Sequence, residues 1–148
     1  MRFSKFKHWL NHLKSHKAKN GSFISNVRSY KILRFPKPCS QDTRLLIAIK
    51  TESRFPEHRI AIRKYWGNQK FYNKPIRLVF LFGKDAMKIY EDEKIHEDLL
   101  IGDFEESFYN MTMKDSMLLT WATSGCKVPF IFKGLKIMQL TPLTFFRR

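Results

Sequence analysis

Between Leu45 and Phe132, short apolar runs alternate with amphipathic stretches of helix length, and this alternation limits the available folds more than any other feature. Leu45-Leu46-Ile47-Ala48-Ile49 is unbroken, the pattern of a strand buried on both faces. Pro56 suits the first position of a helix, which Glu57–Trp66 continues until Gly67 stops it. Ile76–Phe82 reads as a second strand closed by Gly83, and Asp85 suits the cap of a helix reaching about Glu97. Leu99–Phe104 is a weaker third strand. Thr112-Met113-Lys114-Asp115 has the spacing of a capping box, with Asp where Glu or Gln is usual, and opens a helix to about Thr123. Val128–Phe132 is the fourth strand. The order β-α-β-α-β-α-β, with short connections, predicts an α/β fold: a parallel sheet with helices on both faces.

A chain of 148 residues is one domain or part of a larger one. Its apolar fraction of 43% can fill a core, so wholesale disorder is excluded. The longest apolar runs fall far short of the ~20 residues that cross a bilayer. The basic N-terminus lacks the continuous apolar core of a signal peptide, so neither signal peptide nor transmembrane anchor is expected. Twenty-eight Lys and Arg against 13 Asp and Glu leave a net charge of +15, which raises nucleic acid as a partner. The charge is uneven, however. Residues 1–38 hold ten basic residues and no acid, and ten of the 13 acids fall between Asp85 and Asp115. Phe3, Phe6, Trp9 and Leu13 share helical spacing among Lys5, Lys7, Lys14 and Lys17. That segment reads as a short amphipathic helix docked on its own domain or, alternatively, as a surface for an anionic partner.

In sheets of this kind ligands bind beyond the carboxyl ends of the strands. The turn after the first strand is Lys50-Thr51-Glu52-Ser53, without a glycine. Neither a G-x-G-x-x-G turn nor a G-x-x-x-x-G-K-[ST] loop can be formed there, so a bound nucleotide must be held by side chains.

Leu45–Lys50 followed by Pro56-Glu57-His58-Arg59-Ile60-Ala61-Ile62-Arg63-Lys64-Tyr65-Trp66-Gly67 resembles the opening block of the Golgi β-1,3-glycosyltransferases. These are the β-1,3-galactosyltransferase and β-1,3-N-acetylglucosaminyltransferase family, glycosyltransferase family 31. Ile76–Gly83 is similar to that family's second strand. Glu91–Asp98 and Gly102–Lys114 resemble its acidic helix and its D-F-x-D-S-Y and N-L-T-L-K motifs. Trp121–Cys126 and Phe130-Ile131-Phe132-Lys133-Gly134 complete the match, the last leaning toward the N-acetylglucosaminyl branch. The blocks run in order over residues 39–134.

The resemblance implies a GT-A (Rossmann-like) nucleotide-sugar domain, of which residues 39–134 are the amino-terminal, donor-side half. Residues 1–38 then read as a basic stem-like segment and 135–148 as a divergent tail. It implies an inverting transfer of N-acetylglucosamine or galactose from a UDP-sugar to a glycan acceptor, on the lumenal side of the Golgi membrane. It also implies Mn²⁺, held by an Asp-x-Asp motif directly after the Lys-Gly of the fourth strand, as Lewis acid and template. Here Gly134 is followed by Leu135 and Lys136, and no carboxylate occurs after Asp115. The metal ligands and a downstream catalytic base are therefore absent, and this chain alone is expected to be inactive. The alternatives are a non-catalytic chain that binds UDP or a full-length homologue, and, less favoured, a basic nucleic-acid module.

The residues expected at the donor are Lys50 and Thr51 at the end of the first strand, Arg59 and Arg63 one helical turn apart, and Asp103 after the third strand. Without the resemblance, the arginines would read as a solvated helix face and Asp103 as a loop cap. Trp66 reads as core. Asn110-Met111-Thr112 and Asn20-Gly21-Ser22 are glycosylation sequons, and Asn110 matches the family's position. His8, His12 and His16 share a helical face but read as incidental rather than as a metal site. Cys39 and Cys126 precede the first and fourth strands, which are parallel neighbours in a sheet of order 3-2-1-4. In an oxidising compartment the two are expected to form a disulfide, the alternative being two separate buried thiols.

Overall fold

The computed structural model describes residues 30–135. The Phe3–Lys17 segment, its three histidines, the Asn20 sequon and the tail from Lys136 lie outside the described residues. Five strands, β1 (Ile32–Arg34), β2 (Leu45–Lys50), β3 (Ile76–Phe82), β4 (Leu99–Gly102) and β5 (Phe130–Leu135), form one sheet in the order β1-β4-β3-β2-β5. Three α-helices accompany them: α1 (Pro56–Lys64), α2 (Tyr90–Glu93) and α3 (Met111–Gly125). Every pairing among β2 to β5 is parallel. β2 is the central strand, and each of its six residues is in register with both β3 and β5, from Leu45 to Lys50.

The period of two along β2 divides its side chains between two cores. Leu46 and Ala48 face α3, packing with Val79, Leu81 and Leu100 against Met117, Leu118 and Trp121. Ile47 and Ile49 face α1, where Ile62, Phe80, Phe82 and Ala86 join them. Helices thus cover both faces of the sheet. Trp66 meets Phe132 edge-on at 6.4 Å between ring centroids and belongs to the α1-side core.

Four expectations need correction. The stretch 85–97 is not one helix: 3₁₀ turns at Lys84–Lys88 and Lys94–His96 flank the single turn α2. Ala86, Met87, Ile89 and Tyr90 still pack on the α1-side core, and Glu93 meets the two arginines. Asp85 caps nothing, since Gly83 is the cap residue there. The capping box at Thr112 does not close either. α3 starts at Met111, one residue earlier, without a side-chain cap bond, and Asp115 turns to two lysines instead. Finally, β1, a strand not among the four expected, pairs antiparallel with β4 through Ile32↔Gly102 and Arg34↔Ile101.

A disulfide joins Cys39 to Cys126, with Cα atoms 4.7 Å apart across 87 residues of sequence. The Cys39 amide also donates to the Gly125 carbonyl at 2.9 Å, so the approach to β2 is fastened to the end of α3 twice. Cys126→Ser is expected to lower the unfolding free energy by roughly 2–5 kcal/mol, read by urea titration of protein secreted from eukaryotic cells. In the parent protein, alkylation without reductant should label neither cysteine. An unchanged midpoint, or two labelled thiols, would contradict the cross-link.

Candidate functional site

The chain steps from β2 to β3 to β4 in one direction, then crosses by α3 to place β5 on the opposite side of β2. The connections diverge between β2 and β5, and sheets of this type open a crevice beyond the carboxyl ends of the two strands at such a point. A cleft of about 410 Å³ lies there. Lys50, Thr51 and Arg54 line it from β2 and the following loop, Glu106 and Phe108 from the segment after β4, and Lys114 from α3. Leu135 contributes from β5.

Two lysines dominate its chemistry. Lys114 is 1% exposed, yet its Nζ donates to the Thr51 carbonyl at 2.8 Å and pairs with Glu106 Oε1 at 2.5 Å. Burial pushes its ammonium below the usual lysine range, against the opposing pull of Glu106. Glu106 also accepts from the Gly83 amide at 2.9 Å, so this ion pair ties together the ends of β2 and β3. Lys50 Nζ donates to Asp115 Oδ2 at 2.7 Å, and Lys133 Nζ reaches the other oxygen of Asp115 at 3.2 Å. Asp115 therefore bridges lysines of β2 and β5 across the point of divergence.

Of the five residues expected at the donor, the structure brings Lys50 and Thr51 to the cleft. The other three lie elsewhere. Arg59 has no exposed surface: its Nε donates to both carboxylate oxygens of Glu93, at 2.9 and 3.0 Å, and its Nη1 and Nη2 donate to the carbonyls of Glu52 and Ser53. Arg63 donates to Asp98 from Nε at 2.8 Å and to Glu93 from Nη2 at 2.7 Å. Neither arginine lines the cleft, and neither is the solvated face that spacing alone suggests. A buried guanidinium needs a carboxylate partner, and α2 and the start of β4 supply two. Asp103 accepts from the Lys31 amide at 2.7 Å while its own amide donates to the Lys31 carbonyl, so it continues the β1–β4 pairing as a loop cap.

Sequence reasoning missed Lys114, Glu106 and Asp115. The signal for Lys114 was present: it stands on the stripe of Met117, Leu118 and Trp121, at spacings of three, four and seven, where a lysine is out of place unless it is paired. Asn110 does not line the cleft; it stands between Phe108 and Met111, which do, with its Nδ2 donating to the Glu105 carbonyl at 2.8 Å.

A divalent cation does not suit this donor set. Hard cations take several oxygen ligands, whereas Glu106 and Asp115 are already neutralised by Lys114, Lys50 and Lys133. The position after Lys133-Gly134 carries the aliphatic Leu135. No group of three or more His, Cys, Asp or Glu able to hold a metal occurs among the described residues. No helix there is long and apolar enough to cross a membrane.

The mostly parallel sheet with helices on both faces, and a crevice where its connections diverge, define a Rossmann-like α/β domain. The galactosyltransferase family model matches residues 57–134, more than half of the chain, and the chain belongs to that family. It is 36% identical over 117 residues to the human N-acetyllactosaminide β-1,3-N-acetylglucosaminyltransferase 4, covering 74% of this chain and 31% of that protein. It is 33% identical over 118 residues to the rat UDP-GlcNAc:βGal β-1,3-N-acetylglucosaminyltransferase 7, covering 70% and 30%. The rat lactosylceramide 1,3-N-acetyl-β-D-glucosaminyltransferase is 38% identical over 100 residues, covering 59% and 26%. The chain spans about a third of the length of these relatives.

The ion pairs have a pH signature. Burial alone would raise the Glu93 carboxyl, but the hydrogen bonds and charges of Arg59 and Arg63 outweigh it and hold it below its ordinary 4.5. A carboxyl lowered on folding stabilises the fold above its unfolded pKa, and that contribution fades as pH falls through the folded one. Denaturant midpoints are therefore expected to drop on acidification from 4.5 downward. Glu93→Gln should be less stable at neutral pH and show a flatter acid limb. An acid limb identical to that of the parent would remove Glu93 from the account.

Proposed function

We propose that residues 39–134 are the donor-binding part of a β-1,3-glycosyltransferase, and that the cleft beyond β2 and β5 receives the UDP portion of a UDP-sugar. The observation that carries this reading is the coincidence of the crevice at the strand divergence with the span matched by the family model. The relatives' names specify β-1,3 transfer of N-acetylglucosamine to galactose-containing or lactosyl acceptors. The sugar carried over is therefore N-acetylglucosamine in preference to galactose, and the acceptor a galactose-ended glycan. The disulfide supports the lumen of the secretory pathway, since such bonds persist in oxidising compartments.

The diphosphate is held by side chains. Lys50 and Arg54 present cations at the cleft, and the turn supplies no glycine cradle. The reaction class would be inverting displacement at the anomeric carbon, in which a carboxylate takes the proton from the acceptor hydroxyl as the bond to UDP breaks. Neither Glu106 nor Asp115 suits that base, since each already sits against ammonium groups. The chain in this form binds donor without turning it over, alone or beside a complete homologue.

UDP titrated into the protein in a calorimeter should bind no tighter than the micromolar range, about −8 kcal/mol, with the same constant in Mn²⁺ and in EDTA. UDP-GlcNAc with a lactose-ended acceptor should give no product above a no-protein blank. A submicromolar constant that requires Mn²⁺, or measurable turnover, would overturn the reading. So would tight, salt-dependent retention of RNA or DNA in place of UDP.

A further inference from the structure

The loop after β2 has an unusual backbone arrangement. Three consecutive carbonyls, those of Thr51, Glu52 and Ser53, are bound by cationic side chains from other elements. Thr51 takes the Lys114 ammonium at 2.8 Å, and Glu52 and Ser53 take Arg59 Nη1 and Nη2 at 2.8 and 3.3 Å. Both cations are buried. In dinucleotide folds the corresponding turn is shaped by glycines; here a glycine-free Lys50–Phe55 segment is shaped by what its carbonyls are bound to.

Arg59 is itself fixed from behind. Glu93 receives its Nε and also pairs closely with its Nη2, and the guanidinium carbon lies 5.4 Å from the centroid of Phe82. Arg63 holds the other oxygen of the same carboxylate while gripping Asp98 at the start of β4. A continuous chain of contacts thus runs from β4 through Asp98, Arg63, Glu93 and Arg59 to the loop that forms one wall of the cleft.

We propose that Arg59 is a positioning residue for the nucleotide cleft: a buried strut, anchored on Glu93, that fixes the backbone of Glu52 and Ser53 and with it the place of Arg54. The proposal rests on reading the cleft as the donor site, but its main readout does not. Arg59 touches no ligand. It sets the shape of the wall, in the role that glycines perform where a phosphate loop is built from backbone alone.

The test compares the full chain with Arg59→Lys and Glu93→Gln by amide hydrogen exchange and by UDP calorimetry. Arg59→Lys cannot hold two carbonyls and a bidentate carboxylate at once. The loss of a charge-assisted bond predicts roughly tenfold faster exchange at Phe55, whose amide donates to the Glu52 carbonyl that Arg59 holds, with Val79–Phe82 still protected. UDP binding should weaken by about the same factor. Glu93→Gln should shift both in the same direction by less, because the guanidinium keeps its carbonyls while its anchor loses charge. If Arg59→Lys loses protection across the whole sheet, Glu93→Gln decides the matter. Unchanged loop exchange in the folded variants overturns the strut, and so does loss of protection across the sheet in both, since the pair would then hold the fold and not the loop. If the parent chain fails to bind UDP, the donor reading falls, and loop exchange alone judges the strut.

Discussion

The structure depends on β2 being paired along its whole length on both sides. Six residues match β3 on one edge and β5 on the other without a bulge, and the two faces of the strand belong to two separate cores. A strand in that position can carry no solvent-facing side chain until it ends, which is why Leu45–Ile49 is apolar at every position. The first polar side chains, Lys50 and Thr51, come where the sheet stops. They are therefore delivered to its carboxyl edge, beside the point where the crossover through α3 brings β5 back. The location of the cleft follows from the topology, and its chemistry from the first residues after the apolar run.

The parts of the fold legible in the sequence were those governed by that rule. The four parallel strands, α1 and α3 each show a period or an unbroken apolar run, and the neighbourhood of β2 and β5 follows from the handedness and order of such sheets. β1 was not legible: three residues at a sheet edge have too little pattern to separate them from a loop. The segment from Asp85 to Glu97 misled because its acids and lysines suit a solvated helix. In the structure its short turns lay Ala86, Met87, Ile89 and Tyr90 on the core and Glu93 on two arginines.

The site divides along the same line. Lys50 and Thr51 were legible because strand ends are. Arg59 and Arg63 were recognised as a pair one turn apart, but their direction was not, because spacing on a helix defines a face without saying what that face meets. What it meets is a pair of carboxylates 30 to 35 residues further along. Such partners become visible only when β4 is placed beside β3. Family likeness also points to the arginines without distinguishing ligand contact from the support of a loop, since both roles demand the same residue at the same position.

The carboxylates at and beside the cleft, Glu106 and Asp115, are occupied by lysines and do not offer a free oxygen set to a divalent ion. A divalent ion would need oxygen donors at the end of β5, where the sequence has Lys133, Gly134 and Leu135. Lys133 there does the opposite of a metal ligand: with Lys50 it draws Asp115 into a lysine–carboxylate–lysine bridge between neighbouring strands. On the proposed donor reading, a diphosphate would compete with Asp115 for the Lys50 ammonium, exchanging one charge-assisted contact for another of similar strength. The gain over the unliganded state is then the small difference between two ion pairs, rather than the large attraction of a dianion to a bare divalent cation. Arg54, whose side chain is 72% exposed, is the cation at the wall least withdrawn from solvent, and it too is engaged, its Nε donating to Glu52 Oε2 at 2.7 Å. Its place depends on a backbone held by Arg59, so whatever affinity the cleft retains for a nucleotide is linked to a buried arginine that never touches it.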